Sequence, residues 1–418
     1  EDGMAESAAM AAAAYKQAKE AFVSNLSGTS RAEIALIVSV VPVGAWAASV
    51  VQRRHFGERS GHQGLIVEFA LIALPAVLAV TMPQLAPFLV AALAVIGVAL
   101  PPDGSKSDLF LTLKSGRNHN LQTLRLTLFL LTTIMILAID FPVTPRRFGK
   151  TSTYGTGLMD VGTGGFVVLN AISTSTRISK KSPELILVLL GLARLCVVRF
   201  VGYQEVVMEY GEHLNFFLLL FAIIWITKWL RKLDQAPRFW AVVFLLGYQA
   251  ALSCGLEEWV NEAPRDGLLS SNKEGLASIW GYVGLYFAAQ ELWAIHKHEP
   301  VPLRTCFLVT VALEVALQVS IVTLGQVSRR LANPTYSIWI LGIANQIFTM
   351  DRVFTWHTPS LTKVRVQIAP QKSLILPFLI SNLLTGLVNM SIDTLSTGPE
   401  AAILVLLVYV FATFLPSL

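Results

Sequence analysis

"LQTLRLTLFLLTTIMILAIDFPVTPRRFGK", Leu121 to Lys150, joins two kinds of chemistry that seldom meet so abruptly. Residues 121–139 hold one charge, Arg125, and at about 1.5 Å per residue they reach most of the way across a hydrocarbon core of roughly 30 Å. The run ends on Asp140, and the ten residues after it bring two prolines, two adjacent arginines and Lys150. The same alternation of apolar run and short polar connection continues along the whole 418-residue chain. Overall 54% of residues are hydrophobic and only 14% charged, where a soluble protein carries about a quarter. Mean hydropathy is +0.60. These values read as an all-α, polytopic integral membrane protein.

Hydropathy places about thirteen spans, near 33–51, 64–81, 85–100, 121–139, 157–176, 184–200, 214–233, 239–256, 276–295, 302–325, 335–350, 373–391 and 400–418. The fifth, "GLMDVGTGGFVVLNAISTST", is rich in Gly and Thr, so it is stable only buried among neighbours that small residues let approach closely. No connection is long enough for a further folded domain. The organisation is therefore an N-terminal segment, 1–30, followed by one membrane domain, 31–418. Glu1-Asp2-Gly3 reads as a non-native leader before a start at Met4, and residues 4–30 lack the pattern of a cleaved signal peptide.

Several classes are excluded. Short alternating strands are absent, which rules out a β-barrel. A formal charge of +5 is membrane-facing and not a nucleic-acid footprint, because no loop could hold such a domain. Cys196, Cys254 and Cys306 have no paired spacing for a disulfide framework or a zinc site. There is no G-x-S-x-G, H-E-x-x-H or Gly-rich phosphate loop, and the histidines scatter, so no metal is expected. Lys and Arg divide 19 to 12 between alternate connections, which puts the N-terminus and the 140–160 loop outside or in a lumen.

Three polar clusters stand out. In the first, Asp140 ends an apolar helix, where an unpaired charge is costly, with Arg146, Arg147 and Lys150 as nearby counter-charges. Gly149, Gly155 and Gly157 imply a loop folded tightly back on the membrane, which favours a working Asp140–Lys150 pair. The arginines could equally serve only as headgroup anchors. In the second, "RLCVVRFVGYQEVVMEYGEHLNFF" (194–217), a helical reading puts Glu205, Glu209, Glu212 and His213 on one face, as a cavity wall. Arg194 and Arg199 there need acidic or phosphate partners. In the third, Asn382, Thr385, Gly386, Asn389 and Asp393 recur at helical spacing, as interhelical glue or as a substrate wall.

Four stretches in order, "AIDFPVTPRRFGKTSTYGTGLMDVG", "GLARLCVVRFVGYQEVVMEYGEHLNFF", "SRRLANPTYSIWI" and "NLLTGLVNMSIDT", resemble the GPI-anchor inositol acyltransferase family of the endoplasmic reticulum. The opening "KEAFVSNLSGTSRAEI" is similar too, so the resemblance runs from about residue 19 to the C-terminus. It implies an enzyme that acylates the 2-hydroxyl of the inositol of glucosaminyl-phosphatidylinositol from a long-chain acyl-CoA, usually palmitoyl-CoA, on the lumenal face. It needs no cofactor, since acyl-CoA is a substrate. The family's catalytic aspartate and lysine fall on Asp140 and Lys150. Where Arg199 stands, the family often has Lys.

Acyl transfer from a thioester needs a base for the hydroxyl, a positive group for the developing oxyanion, and alignment of two lipids. The expectation is that Asp140, held by Lys150, takes the inositol proton. Arg146 and Arg147 would bind the phosphodiester or the CoA phosphates. Arg194, Arg199, Tyr203, Gln204, Glu205, Glu209, His213, Asn382 and Asn389 would line the headgroup pocket, with His213 as the rival base. The alternative is a polytopic secondary transporter of a lipid or polar solute, with 157–176 as its broken helix.

Overall fold

The computed structural model describes residues 14–15, 17–56, 61–99, 116–176, 184–201, 209–297, 301–358 and 375–414, without the side chains of 61, 116–119 and 197–201. Its long helices are α1 (Arg31–Phe56), α2 (His62–Thr81), α3 (Ala86–Ala99), α4 (Gly116–Ala138), α5 (Asp160–Thr176), α6 (Glu184–Val201), α7 (Phe216–Leu230), α8 (Pro237–Glu262), α9 (Lys273–His296), α10 (Leu303–Thr323), α11 (Pro334–His357), α12 (Ile375–Ser391) and α13 (Pro399–Phe414). The described residues contain no extended strand, only an isolated bridge between Gly28 and Thr156. Each expected span overlies a helix. Five of them (α1, α2, 120–138 within α4, α8 and α10) are long and apolar enough to cross a membrane.

Burial sorts the helices into a centre and a rim. The apolar windows of α1 and α4 are each 78% buried within the protein, whereas those of α8 and α10 are only 17% buried. On α10 the exposed side chains Leu308, Val311, Val315, Val319 and Val322 are aliphatic, as a helix bordered by hydrocarbon requires. Inside, Val41 of α1, Phe129 of α4, Val168 of α5, Tyr286 of α9 and Phe348 of α11 share one core.

Hydrophobic burial cannot drive helix association against lipid, so close approach through small residues does that work. On α5 a side chain at Gly164 would strike the Tyr336 ring, and one at Gly165 would strike Leu128. The Gly- and Thr-rich fifth span is thus central, as its composition requires. Its helix begins at Asp160, because 157–159 belong to the preceding turn.

Two asparagines start helices and also tie them down. Asn333 caps α11 by accepting from Tyr336 N at 2.9 Å, with Pro334 at the first turn. Asn215 caps α7 by accepting from Phe217 N at 3.1 Å, and its amide donates to Gly191 O of α6 at 2.9 Å. The connections on the less basic side converge on one end of the bundle. Ser152 N donates to Leu26 O (3.0 Å), Gly155 N to Val327 O (2.8 Å), Glu212 N to Ser271 O (3.0 Å) and Arg330 to Val260 O (3.3 Å).

Candidate functional site

The loop between α4 and α5 is folded as tightly as its glycines suggest. A short turn at Arg146–Phe148 follows Pro145, and Met159 N returns to Phe148 O at 3.0 Å. Gly155 sits at φ +123°, where L residues are strained, and a side chain there would overlap the Ser27 carbonyl. A side chain at Gly157 would overlap the Gly149 carbonyl. On its outer edge the loop lies along the N-terminal segment: Thr29 N donates to Thr156 O at 2.7 Å and Thr156 Oγ1 to Thr29 O at 2.6 Å.

The expected Asp140–Lys150 pair is not formed. Asp140, half-buried, accepts at Oδ2 from Asn389 Nδ2 of α12 at 2.8 Å. Lys150 Nζ instead donates to Glu209 Oε1 at 2.6 Å. The two residues leave opposite ends of the loop, and each meets a different neighbouring element first. Burial pushes the Asp140 carboxyl above the ordinary carboxylate range, partly offset by the Asn389 hydrogen bond and by the charges of Lys19 and Arg146. Burial pushes the Lys150 ammonium down, opposed chiefly by Glu209. Burial also resists ionisation of Glu209, but Lys150, Arg329 and Arg194 together hold its carboxyl below the usual range.

Behind Lys150 lies a second, fully buried centre. Arg329 Nε donates to Asp160 Oδ1 at 2.7 Å, with the side chains 4% and 0% exposed. Asp160 also accepts from Thr151 Oγ1 (2.9 Å) and Gly157 N (2.8 Å), which joins the loop, the start of α5 and the 325–333 connection at one carboxylate. Tyr210 shares a hydrogen bond with Thr163 at 2.9 Å, and Tyr336 donates to the Asp160 carbonyl at 2.8 Å. Nearby, Glu274 binds both Arg330 (2.9 Å) and Arg265. None of Lys19, Asp160, Arg265, Glu274 or Arg329 was singled out from the sequence. Signals existed: Asp160 closes the dense polar stretch, and Arg329-Arg330 stand directly before an apolar helix.

The other expected residues divide. Residues 209–215 form a turn with Gly211 at φ +101°, not a helix, so Glu209, Glu212 and His213 do not share a helical face. His213 is exposed and its Nδ1 lies 3.2 Å from Asn272 Nδ2, whereas the partner of Lys150 is Glu209. Arg194 is exposed on α6, and its charge acts on Glu209. Tyr203, Gln204 and Glu205 lie outside the described residues, as does the Arg199 side chain.

Arg147 is held by both oxygens of Glu33 (3.0 and 2.8 Å), and Arg146 donates to Ile139 O at 3.0 Å while lying on the Phe22 ring at 3.5 Å. Both arginines thus serve the loop's own architecture, although Arg146 Nη2 is buried without a partner. Asn382 uses its amide on Phe378 O of its own helix at 2.7 Å, so of the two α12 asparagines only Asn389 reaches the site. Among the described residues no group of three His, Cys, Asp or Glu could hold a metal ion. The arrangement offers a carboxylate raised in basicity, a partly exposed ion pair made by the same loop, and neutral amide donors, all at one end of an apolar bundle.

The GWT1 family profile matches residues 15–418. The GPI-anchored wall transfer protein 1 of Gibberella zeae is 32% identical, over 95% of both chains. The glucosaminyl-phosphatidylinositol-acyltransferase PIGW of Bos taurus is 29% identical over 96% of both. The phosphatidylinositol-glycan biosynthesis class W protein of Dictyostelium discoideum is 28% identical, over 95% of this chain and 96% of its own. With a profile match over almost its whole length and relatives that align over more than nine-tenths of theirs, the chain belongs to the GWT1 family.

Proposed function

We propose that this chain is an acyltransferase of the endoplasmic reticulum membrane that moves a long acyl chain, palmitoyl, from acyl-CoA to the inositol 2-hydroxyl of glucosaminyl-phosphatidylinositol in GPI-anchor biosynthesis. The relative named for that activity supports the substrate. The observation that carries the chemistry is Asp140 itself: a carboxylate at the end of an apolar helix, with basicity raised by burial and one lobe held by Asn389. A carboxylate of that kind can accept a hydroxyl proton near neutral pH.

In this reading Asp140 removes the inositol 2-hydroxyl proton as the oxygen attacks the thioester carbonyl carbon. Lys150 supplies positive charge for the tetrahedral oxyanion, and it is kept protonated against burial by Glu209. The C–S bond then breaks, CoA leaves as a thiolate, and the proton held by Asp140 passes to it. The exposed Arg194 is the contact available for phosphate oxygens. The lumen is the proposed compartment for this end of the bundle, in line with the Lys and Arg bias.

The test is direct. Purified protein supplied with palmitoyl-CoA and glucosaminyl-phosphatidylinositol should release one free thiol per molecule of inositol-acylated product, seen by mass spectrometry. Asp140→Asn should abolish both signals while eluting as folded protein. Intact acyl-CoA in the wild-type reaction would favour transport, and full activity in Asp140→Asn would remove Asp140 from the mechanism.

A further inference from the structure

We propose that Lys19, carried on the N-terminal segment, is the cation that sets the basicity of Asp140, acting through the side-chain amide of Asn389. The inference rests on Asp140 being the base. Lys19 Nζ donates to Asn389 Oδ1 at 2.7 Å, and Asn389 Nδ2 donates to Asp140 Oδ2 at 2.8 Å. An ammonium has only donors and a carboxylate only acceptors, so an amide between them has a single orientation that satisfies both. Asn389 is therefore a fixed bridge between two charges on segments far apart in sequence.

The N-terminal segment is seated for this task. Lys19 is 9% exposed and lies 5.0 Å from the Tyr15 ring, whose hydroxyl accepts from Thr394 N at 3.2 Å just beyond α12. Phe22, one turn on, lies under the Arg146 guanidinium. The segment thus covers Asp140 with a lysine that has no acidic partner of its own among the described contacts. Lys150, the cation expected there, is engaged by Glu209.

The charged groups that face Asp140 are Lys19 from the N-terminal segment and Arg146 from its own loop. Tyr409 of α13 also faces it, but donates instead to Thr133 O (3.1 Å) and Ser381 O (3.3 Å). Arg146 donates to Ile139 O and lies on Phe22 with no hydrogen bond to Asp140, so Lys19 is the cation coupled to the carboxylate by hydrogen bonds. A positive charge at this range favours the ionised carboxylate. Lys19 is accordingly a positioning residue that keeps Asp140 deprotonated, and so competent as a base, at neutral pH. Without it the carboxyl stays protonated to higher pH.

The pH–rate profile of full-length protein in liposomes tests this. Lys19→Met should move the acidic limb up by about one pH unit, with roughly tenfold less activity below that limb and recovery as pH rises. Lys19→Arg should restore the original limb. A Lys19→Met limb that coincides with wild type overturns the proposal. Asp140→Asn run alongside separates the two failures. An active Asp140→Asn removes the base assignment and this inference with it, whereas an inactive Asp140→Asn beside an unshifted Lys19→Met limb removes only the role of Lys19.

A second readout needs no turnover. Dicyclohexylcarbodiimide modifies protonated carboxyls in apolar surroundings, and peptide mass spectrometry reports the pH of half-labelling at Asp140. That pH should rise in Lys19→Met and also in Asn389→Leu, which removes the bridge but keeps the lysine. Unchanged labelling in Asn389→Leu overturns the relay even if Lys19→Met fails to fold.

Discussion

Replacing Arg329 by Met removes the cation from the most enclosed ion pair at the site while filling similar space with apolar atoms. In the wild type Asp160 is 0% exposed and receives Arg329 Nε at 2.7 Å. Thr151 and Gly157 supply the remaining, neutral donors. Those donors survive the substitution, but the carboxylate is left without its counter-charge in a site closed to water. Breaking a buried pair from one side costs about 3–5 kcal/mol, a hundred- to several-thousand-fold in the unfolding equilibrium. Removing both charges, in Arg329→Met/Asp160→Asn, should return about 1–3 kcal/mol of that loss, because the uncompensated charge disappears with its partner. Unfolding by dodecyl sulfate in mixed micelles, followed by circular dichroism, measures Arg329→Met, Asp160→Asn and the double variant. If Arg329→Met lies within about 1 kcal/mol of wild type, or if the two single losses simply add, then Arg329 and Asp160 are not the coupled clamp described here.

Other expectations follow from neighbouring contacts. Glu209→Gln should lose stability at neutral pH by no more than about 1 kcal/mol, since Lys150 is partly exposed. Because the folded-state value of Glu209 is depressed, that contribution is present above the ordinary carboxylate range of about 4.3 and disappears as pH falls through the lower value. Denaturation curves of Glu209→Gln and wild type should therefore converge only in acid. Gly155→Val places a β-branched residue at positive φ against the Ser27 carbonyl, so it should loosen the N-terminal segment and expose it to limited proteolysis. Asn389→Ala should lower acyl transfer at least about tenfold, whereas Asn382→Ala, whose amide serves its own helix, should stay within about threefold. Equal losses at both positions would point to a general role for the α12 polar stripe.

The Gly-rich run 157–176 was recognisable as a buried helix because small residues on a spanning segment have one common use, close packing. The tight loop after Asp140 was recognisable for a similar reason: three glycines and two prolines restrict a short connection to compact paths. The 194–217 stretch misled in part. Glu209, Glu212 and His213 fall at helical spacing, but Gly211 takes a left-handed conformation and turns the chain, so the described residues 209–215 do not form the helix that periodicity suggests. Arg146 and Arg147 illustrate a different limit. Their charge was evident, but whether it faces a ligand or the protein depends on Phe22, Ile139 and Glu33, which no spacing rule connects to them.

Membrane insertion and helical class follow from composition, since a bilayer leaves unpaired backbone no solvent and twenty apolar residues in a row have few other fates. The presence of strong chemistry near Asp140 follows too, because charge beside hydrocarbon is expensive and is kept only for a purpose. Which charge meets which was settled by packing. Lys150 finds Glu209, Asp160 finds Arg329 across 169 residues, and Asp140 finds Asn389, itself held by Lys19 across 370. Hydropathy is a local property, whereas an ion pair depends on where distant helix ends arrive once every small residue has found its neighbour.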